Sequence, residues 1–268
     1  MNSQKQNDTL MRVLVAILGI PLIVLAILSD GIYFFIFVFL LNGLCTYELL
    51  RLFEKKNIYP FKILSIVFSS AALIFYAIDF KYSIISLILS FMVVATAEIF
   101  RNEKIRNPLS PAVTLFAFVY ISVTMLMLLN LESDSHLLLA IVVMMWSNDT
   151  GAYFTGRAIG KHKLTPVSPN KTVEGFIGGI VLTFIVGFLI YHFKLIDMDI
   201  KSLAIYTFIV SFVGTAGDLF ESLIKRYVGV KDSSHIIPGH GGLLDRFDSF
   251  MFIIPALFIY IKFIKLIL

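Results

Sequence analysis

The chain has 268 residues, 58% of them hydrophobic and 15% charged, with 22 Lys and Arg against 18 Asp and Glu for a formal net charge of +4. Ordinary soluble domains are about 45–50% apolar and about 25% charged, so a water-soluble fold is excluded and the bilayer is left as the solvent for this much apolar surface. A pI near 9.0, without a basic stripe that interleaves aromatics, argues against a nucleic-acid partner, and the single cysteine, Cys45, rules out an internal disulfide or a cysteine metal cluster.

A spanning helix needs about 20 predominantly apolar residues. Nine stretches qualify, near 12–28, 31–50, 62–79, 82–100, 112–130, 137–156, 173–193, 203–224 and 244–266. The first has the short basic opening of a secretory signal, but no clear small-residue cleavage pattern follows it and a second apolar run begins almost at once. It is expected to be a retained span. Lys and Arg divide unequally between alternate connections. Seventeen of the 22, from Lys5 and Arg12 onward, fall on one side, and Lys81, Lys194, Lys201, Lys262 and Lys265 on the other. The richer side is expected to be cytoplasmic. The fold expected is therefore all-α: a polytopic integral membrane protein of about nine transmembrane helices with a cytoplasmic N-terminus. The first five spans (1–130) form a scaffold, and 131–268 forms a catalytic region with two polar cytoplasmic loops, 157–172 and 225–243. The compact length and short tails point to a bacterial inner, cytoplasmic membrane.

Charge inside a membrane costs about 2.5–3.5 kcal/mol per residue at the helix centre, so polar groups there are paired, solvated or functional. In chain order, the first cluster surrounds Asn148 and Asp149, with Tyr153 one turn on and Gly156 and Gly160 spaced for close helix approach. It reads either as a packing seam or as part of a site. The loop that follows carries Lys161, Lys163, Ser168, Lys171 and Thr172 ahead of Glu174. Ser168 or Thr172 can cap the next helix, whose N-terminus favours phosphate; Glu174 can simply complement the helix dipole. The third cluster places Asp218, Glu221, Ser222 and Lys225 along one helix face, with Arg226 beside them. This is either a buried ion pair holding helices together or a site. The last cluster is a glycine-rich approach, His240, Gly241 and Gly242, into Asp245, Arg246 and Asp248, where backbone N–H groups can meet an anion. Asp218, Asp245 and Asp248, with Asp149 as a further candidate, form an oxygen-only donor set that suits Mg²⁺ better than zinc. Acids of this kind beside phosphate-binding bases are the requirements of phosphoryl or nucleotidyl transfer, and a site among spans implies a lipid acceptor.

The run Ser222, Ile224, Lys225, Arg226, Lys231, Asp232, Ser234, Ile237, Pro238, His240, Gly241, Gly242, Leu243, Asp245, Arg246, Phe247, Asp248 resembles the signature of the phosphatidate cytidylyltransferases, or CDP-diacylglycerol synthases. The segments Asn148–Tyr153, Ser168–Gly175 and Gly217–Asp218 are similar to the family too, so the resemblance covers roughly 146–250. It implies a polytopic, commonly dimeric, Mg²⁺-dependent enzyme that converts CTP and phosphatidic acid to CDP-diacylglycerol and pyrophosphate. The first five spans would then serve dimerisation as well as scaffolding. By the same resemblance the metal-binding acids are Asp218 and Asp245 with Asp248 close by, and Asp218, Asp245, Asp248, Lys225 and Arg226 are the catalytic set. Asn148, Asp149, Ser168, Lys171, Thr172, Glu174, Ser222, Lys231, Asp232, His240, Gly241, Gly242 and Arg246 are the substrate-binding residues. The chain departs from the pattern at Asn170, where many members carry a second lysine. A CTP-dependent enzyme with another lipid acceptor, an ion-coupled transporter using the intramembrane acids, and a membrane scaffold are the rival readings.

Overall fold

The computed structural model describes residues 15, 17–29, 31–237 and 241–265; the expectations attached to Lys5, Arg12 and His240 lie outside the described residues. Among the described residues there is no strand, only two isolated bridges, Lys163 with Thr172 and Ile237 with Gly241. The helices are α1 (Ile17–Leu28), α2 (Gly31–Lys56), α3 (Lys62–Tyr76), α4 (Phe80–Ile99), α5 (Leu109–Asn130), α6 (Ser135–Ile159), α7 (Val173–His192), α8 (Ile200–Val228), the single turn α9 (Leu244–Phe247) and α10 (Phe250–Ile264). Six of them, α2 and α4 to α8, are long and apolar enough to cross a membrane, whereas α1, α3 and α10 are shorter apolar helices. The protein is a multi-pass membrane protein. Its backbone polar groups are satisfied within helices, as a lipid solvent requires, and large apolar side chains such as Phe154, Val181 and Ile185 face outward.

Two compact units divide the chain: Met1–Asn130 with Lys225–Phe247, and Leu131–Ile224 with Asp248–Leu268. In the first, α2 packs against α3 and α5 around Phe34, Leu49, Leu73, Phe118, Ile121 and Met125, all fully buried, and Asn42 donates to Ser69 Oγ across the α2–α3 contact at 3.1 Å. One end of this unit is stitched by its polar connections. The Glu98 carboxylate accepts from Arg101 at 3.0 Å and from the Asn107 amide at 2.7 Å. Arg101 also reaches the Tyr59 carbonyl and lies over the Phe61 ring. The 57–61 and 100–108 connections therefore share one end of the unit.

In the second unit, α6 and α7 form the closest helix pair. A Cβ on Gly151 would sit 2.7 Å from the Gly178 carbonyl oxygen, and one on Gly175 would sit 2.7 Å from that of Ala152; side chains at either place would force the helices apart. The seam thus runs through Gly151, Gly175, Gly178 and Gly179. Gly156 joins it as its spacing leads one to expect: a Cβ there would sit 3.0 Å from Thr172 Oγ1 and 3.5 Å from the Gly175 Cα of α7, whereas Gly160, at the end of α6, would meet Thr172. The stretch 244–266 is not one helix: residues 248 and 249 form a turn between α9 and α10.

Candidate active site

Thr172 accepts from the Gly175 amide at 3.0 Å and caps α7. Ahead of it the polar loop folds back on itself, with Leu164 N–H bonded to the Lys171 carbonyl and Val173 N–H to that of His162, both at 2.9 Å. Glu174 holds this fold by accepting from the Lys161 amide at 3.0 Å and meeting His162 Nδ1 at 2.6 Å. The hairpin aims Lys171 inward, where its ammonium group pairs with the Asp218 carboxylate of α8. Ser222, one turn along α8, approaches the same carboxylate at 3.4 Å. The two members of the pair are 29% and 28% exposed: enough solvent reaches them for another ligand to enter.

The pair faces a cavity of about 600 Å³ inside the second unit, within the range of small-molecule sites. Asn148, Asp149, Ser168, Lys171, Thr172 and Asp218 all line it, so six residues chosen from three separate segments of the sequence meet there. Tyr153, Arg157, Thr215 and Ser249 line it too without having been singled out as site residues. Arg157 donates to Tyr153 Oη at 3.0 Å, a one-turn pairing that a four-residue spacing permits. Asn148 is held by Thr183 at 3.4 Å across the α6–α7 seam.

The second centre lies in the first unit. Lys225 donates to Asp245 Oδ1 at 2.6 Å, and both side chains are under a tenth exposed. The Gly242 and Ser233 amides donate to Asp245 Oδ2 at 2.8 and 2.9 Å. Burial pushes the Asp245 carboxyl up, but the bonds from Lys225 and from the two amides outweigh it and hold it below the usual carboxylate range. Gly241 adopts φ +86°, where a Cβ would also meet Asp245 Oδ2 at 2.7 Å; the glycine is needed on both counts. Arg226 donates to the Val230 carbonyl at 2.8 Å and stays exposed, as do Lys231, Asp232 and Arg246 at the rim of this loop. Asp248, in the second unit, accepts from the Ser249 amide at 2.6 Å.

Glu48 escaped the sequence reading. It is fully buried near the end of α2 and accepts from Ser233, Ser234 and the Leu243 and Leu244 amides. The signal was present: a lone carboxylate inside an apolar run of membrane length.

Each unit thus offers a carboxylate already holding a cation of its own chain, Asp218 with Lys171 and Asp245 with Lys225. Such hard-oxygen donors fit Mg²⁺ in kind, although among the described residues no three acid, His or Cys side chains gather into one ligand set. Lysine beside carboxylate in a cavity between membrane-length helices can bind phosphates and be displaced from its partner by them.

The chain is similar to phosphatidate cytidylyltransferases of staphylococci. It is 38% identical to that of Staphylococcus haemolyticus over 92% of this chain and 96% of the relative, and 36% identical to that of Staphylococcus saprophyticus over the same shares. To that of Staphylococcus aureus strain COL it is 43% identical over 63% of this chain and 65% of the relative. The profile of the Cytidylyltransferase family matches residues 10–264, and the chain belongs to that family.

Proposed function

We propose that this protein transfers the cytidylyl group of CTP to phosphatidic acid, giving CDP-diacylglycerol and pyrophosphate. The observation that carries the reading is the 600 Å³ cavity walled by three membrane-length helices, with Lys171 and Arg157 beside Asp218 and Asp149, in a chain related along nearly its whole length to phosphatidate cytidylyltransferases. An oxygen of the lipid phosphate attacks the α-phosphorus of CTP, and the bond to the β-phosphate oxygen breaks to release pyrophosphate. The acceptor is already an anion, so no protein nucleophile is needed and the work is positioning and charge compensation. Lys171 and Arg157 bind phosphate oxygens in the cavity, and Ser168, Thr172 and Asn148 supply hydrogen bonds to orient them. In the first unit, Lys225, Arg226 and Arg246, with Lys231 at the loop rim and the Gly241–Gly242 backbone, are further candidates to bind phosphate, and Ser222 is a candidate on α8 in the second. Asp218 and Asp248 in the second unit and Asp245 in the first are each candidates to hold Mg²⁺, which would supply charge neutralisation on the transferring phosphate.

The same reading places nine crossings in the cytoplasmic membrane with the N-terminus inside, residues 1–130 as scaffold and dimer face, and two chains per enzyme. The charge asymmetry of the connections supports the orientation.

The test is purified protein in detergent with CTP, phosphatidic acid and Mg²⁺, following CDP-diacylglycerol and pyrophosphate together. The expected result is equimolar formation of both, absent without any one component and lost in Asp218→Asn. Folded protein that forms neither product refutes the acceptor, and turnover with a polyprenyl phosphate in its place would identify another lipid substrate.

A further inference from the structure

A carboxylate buried in an apolar helix needs a reason to be there. Glu48 of α2 is fully buried, and its reason is the 231–244 loop. Oε1 accepts from the Ser234 hydroxyl at 2.5 Å and the Leu243 amide at 3.0 Å, and Oε2 accepts from the Leu244 amide at 2.7 Å and the Ser233 hydroxyl at 3.2 Å. One carboxylate thereby clamps both arms of the loop, since Ser233 and Ser234 belong to its outgoing arm and Leu243 and Leu244 to its return. The same loop makes the cradle of Asp245: the Ser233 amide and the Gly242 amide donate to it, and the Ser233 hydroxyl lies 3.1 Å from Asp245 Oδ2 while facing Glu48 on its other side. Gly242 fits against the clamp, where a Cβ would come within 2.7 Å of Glu48 Oε2.

We infer that Glu48 is a positioning residue for the transfer reaction: it acts through the 231–244 loop to set the place and hydrogen bonding of Asp245. It touches no reacting atom. The inference rests on the reading of Asp245 as a site residue in cytidylyl transfer. Glutamine cannot replace it, although the shape is the same. Each carboxylate oxygen takes one backbone N–H, so either orientation of the amide sets its NH₂ against a fixed donor. A hydroxyl can rotate away from that conflict; an amide in the chain cannot.

The experiment uses the full-length protein in detergent, wild type beside Glu48→Gln. The expected result is a fall in kcat of about tenfold or more with KM for CTP within about threefold. Hydrogen exchange should become faster in peptides covering 231–245 while those of α6 and α7 keep the wild-type rate. Unchanged kcat, or faster exchange along the whole chain together with the loss of activity, overturns the inference in favour of a general structural role. Should Glu48→Gln fail to fold, Ser234→Ala removes a single donor to the clamp. Lower kcat with faster local exchange in that variant supports the inference, and wild-type behaviour in both overturns it. A wild-type protein that transfers nothing refutes the proposed function instead, and leaves the exchange of the 231–245 peptides to decide whether Glu48 holds the loop.

Discussion

Two lysine–carboxylate pairs in this protein differ in burial, and burial decides what each contributes. Lys225 and Asp245 are 9% and 5% exposed, so removing one partner strands the other in a medium that cannot solvate it; breaking such a pair costs about 3–5 kcal/mol. Lys171 and Asp218 are close to a third exposed, and water offsets the loss there, leaving a stability change of about 1 kcal/mol or less. Lys225→Met is therefore expected to lower the melting temperature in detergent sharply, whereas Lys171→Met leaves it near that of the wild type and still removes activity. Adding Asp245→Asn to Lys225→Met should return part of the lost stability without activity, because no stranded carboxylate remains. Additive losses in the double variant would show that the pair is not what holds this loop. The sequence shows that Asp218, Ser222 and Lys225 share a helix stripe. It does not show that the stripe is divided, with Asp218 paired to Lys171 from a preceding loop and Lys225 to Asp245 from a following one. Spacing along a helix fixes a side chain's direction, and its partner is set by how the loops return.

At the scale of elements, each of the nine apolar stretches carries a helix, because apolar content over a membrane length is a property of local composition. The contacts between the helices are a different matter. Of the two glycines expected to form a seam, Gly156 does meet α7, its Cα lying 3.2 Å from a Cβ built on Gly175, whereas Gly160 ends α6 against Thr172; the approach continues through Gly151 and Gly178, which that spacing does not mark. Every small residue offers the same possibility, and only the partner helix selects among them. The break between α9 and α10 was hidden for a similar reason. Asp248 and Ser249 sit between two apolar runs with no Gly or Pro at the junction, and Pro255, the residue that looks like a breaker, lies inside α10. Glu48 was passed over because one acid in a span of Phe, Leu and Val barely changes its hydropathy. The seam itself can be tested at Gly151, since a Cβ there meets Gly178 backbone, which cannot rotate away. Gly151→Val is expected to destabilise by about 1–3 kcal/mol or more through overpacking and to cut activity as well, because α6 and α7 wall the cavity. Gly19, whose Cβ would meet nothing within 4 Å, provides the control: Gly19→Ala should melt and turn over like the wild type. A Gly151→Val protein as stable and active as that control would mean that α6 and α7 do not need their close contact.

For the whole molecule, the question is how many of the helices cross. At 1.5 Å per residue α3, with 15 residues, is about 22 Å long, short of a hydrocarbon core of about 30 Å. Length alone would leave it short of the far side. The first unit supplies a stronger constraint: the connection before α3 and the connection after α4 are bonded to each other through Arg101 with Tyr59 and Asn107 with Asn57. Whatever α4 crosses, α3 must cross in the opposite direction. With 20 residues and a composition fit for a membrane, α4 is long enough to span; the nine-crossing proposal then requires α3 to span as well, with Lys62 at its start and the loop polar groups accommodating the mismatch. This argument, joined to the excess of Lys and Arg on alternate connections, predicts the result of labelling single cysteines with a membrane-impermeant maleimide. In a Cys45→Ser background, which removes the one buried native thiol, Lys104→Cys and Lys163→Cys should react only when the cytoplasmic face is accessible. Lys81→Cys and Lys194→Cys should react only from the opposite face. Labelling of Lys81→Cys and Lys104→Cys from the same side would mean that α4 does not cross, and the pairing with α3 and the count of nine would fall with it. Labelling of Lys163→Cys from the outer face would be more damaging, since the loop that carries Lys171 into the cavity would then be separated by the membrane from the compartment where CTP is made and used.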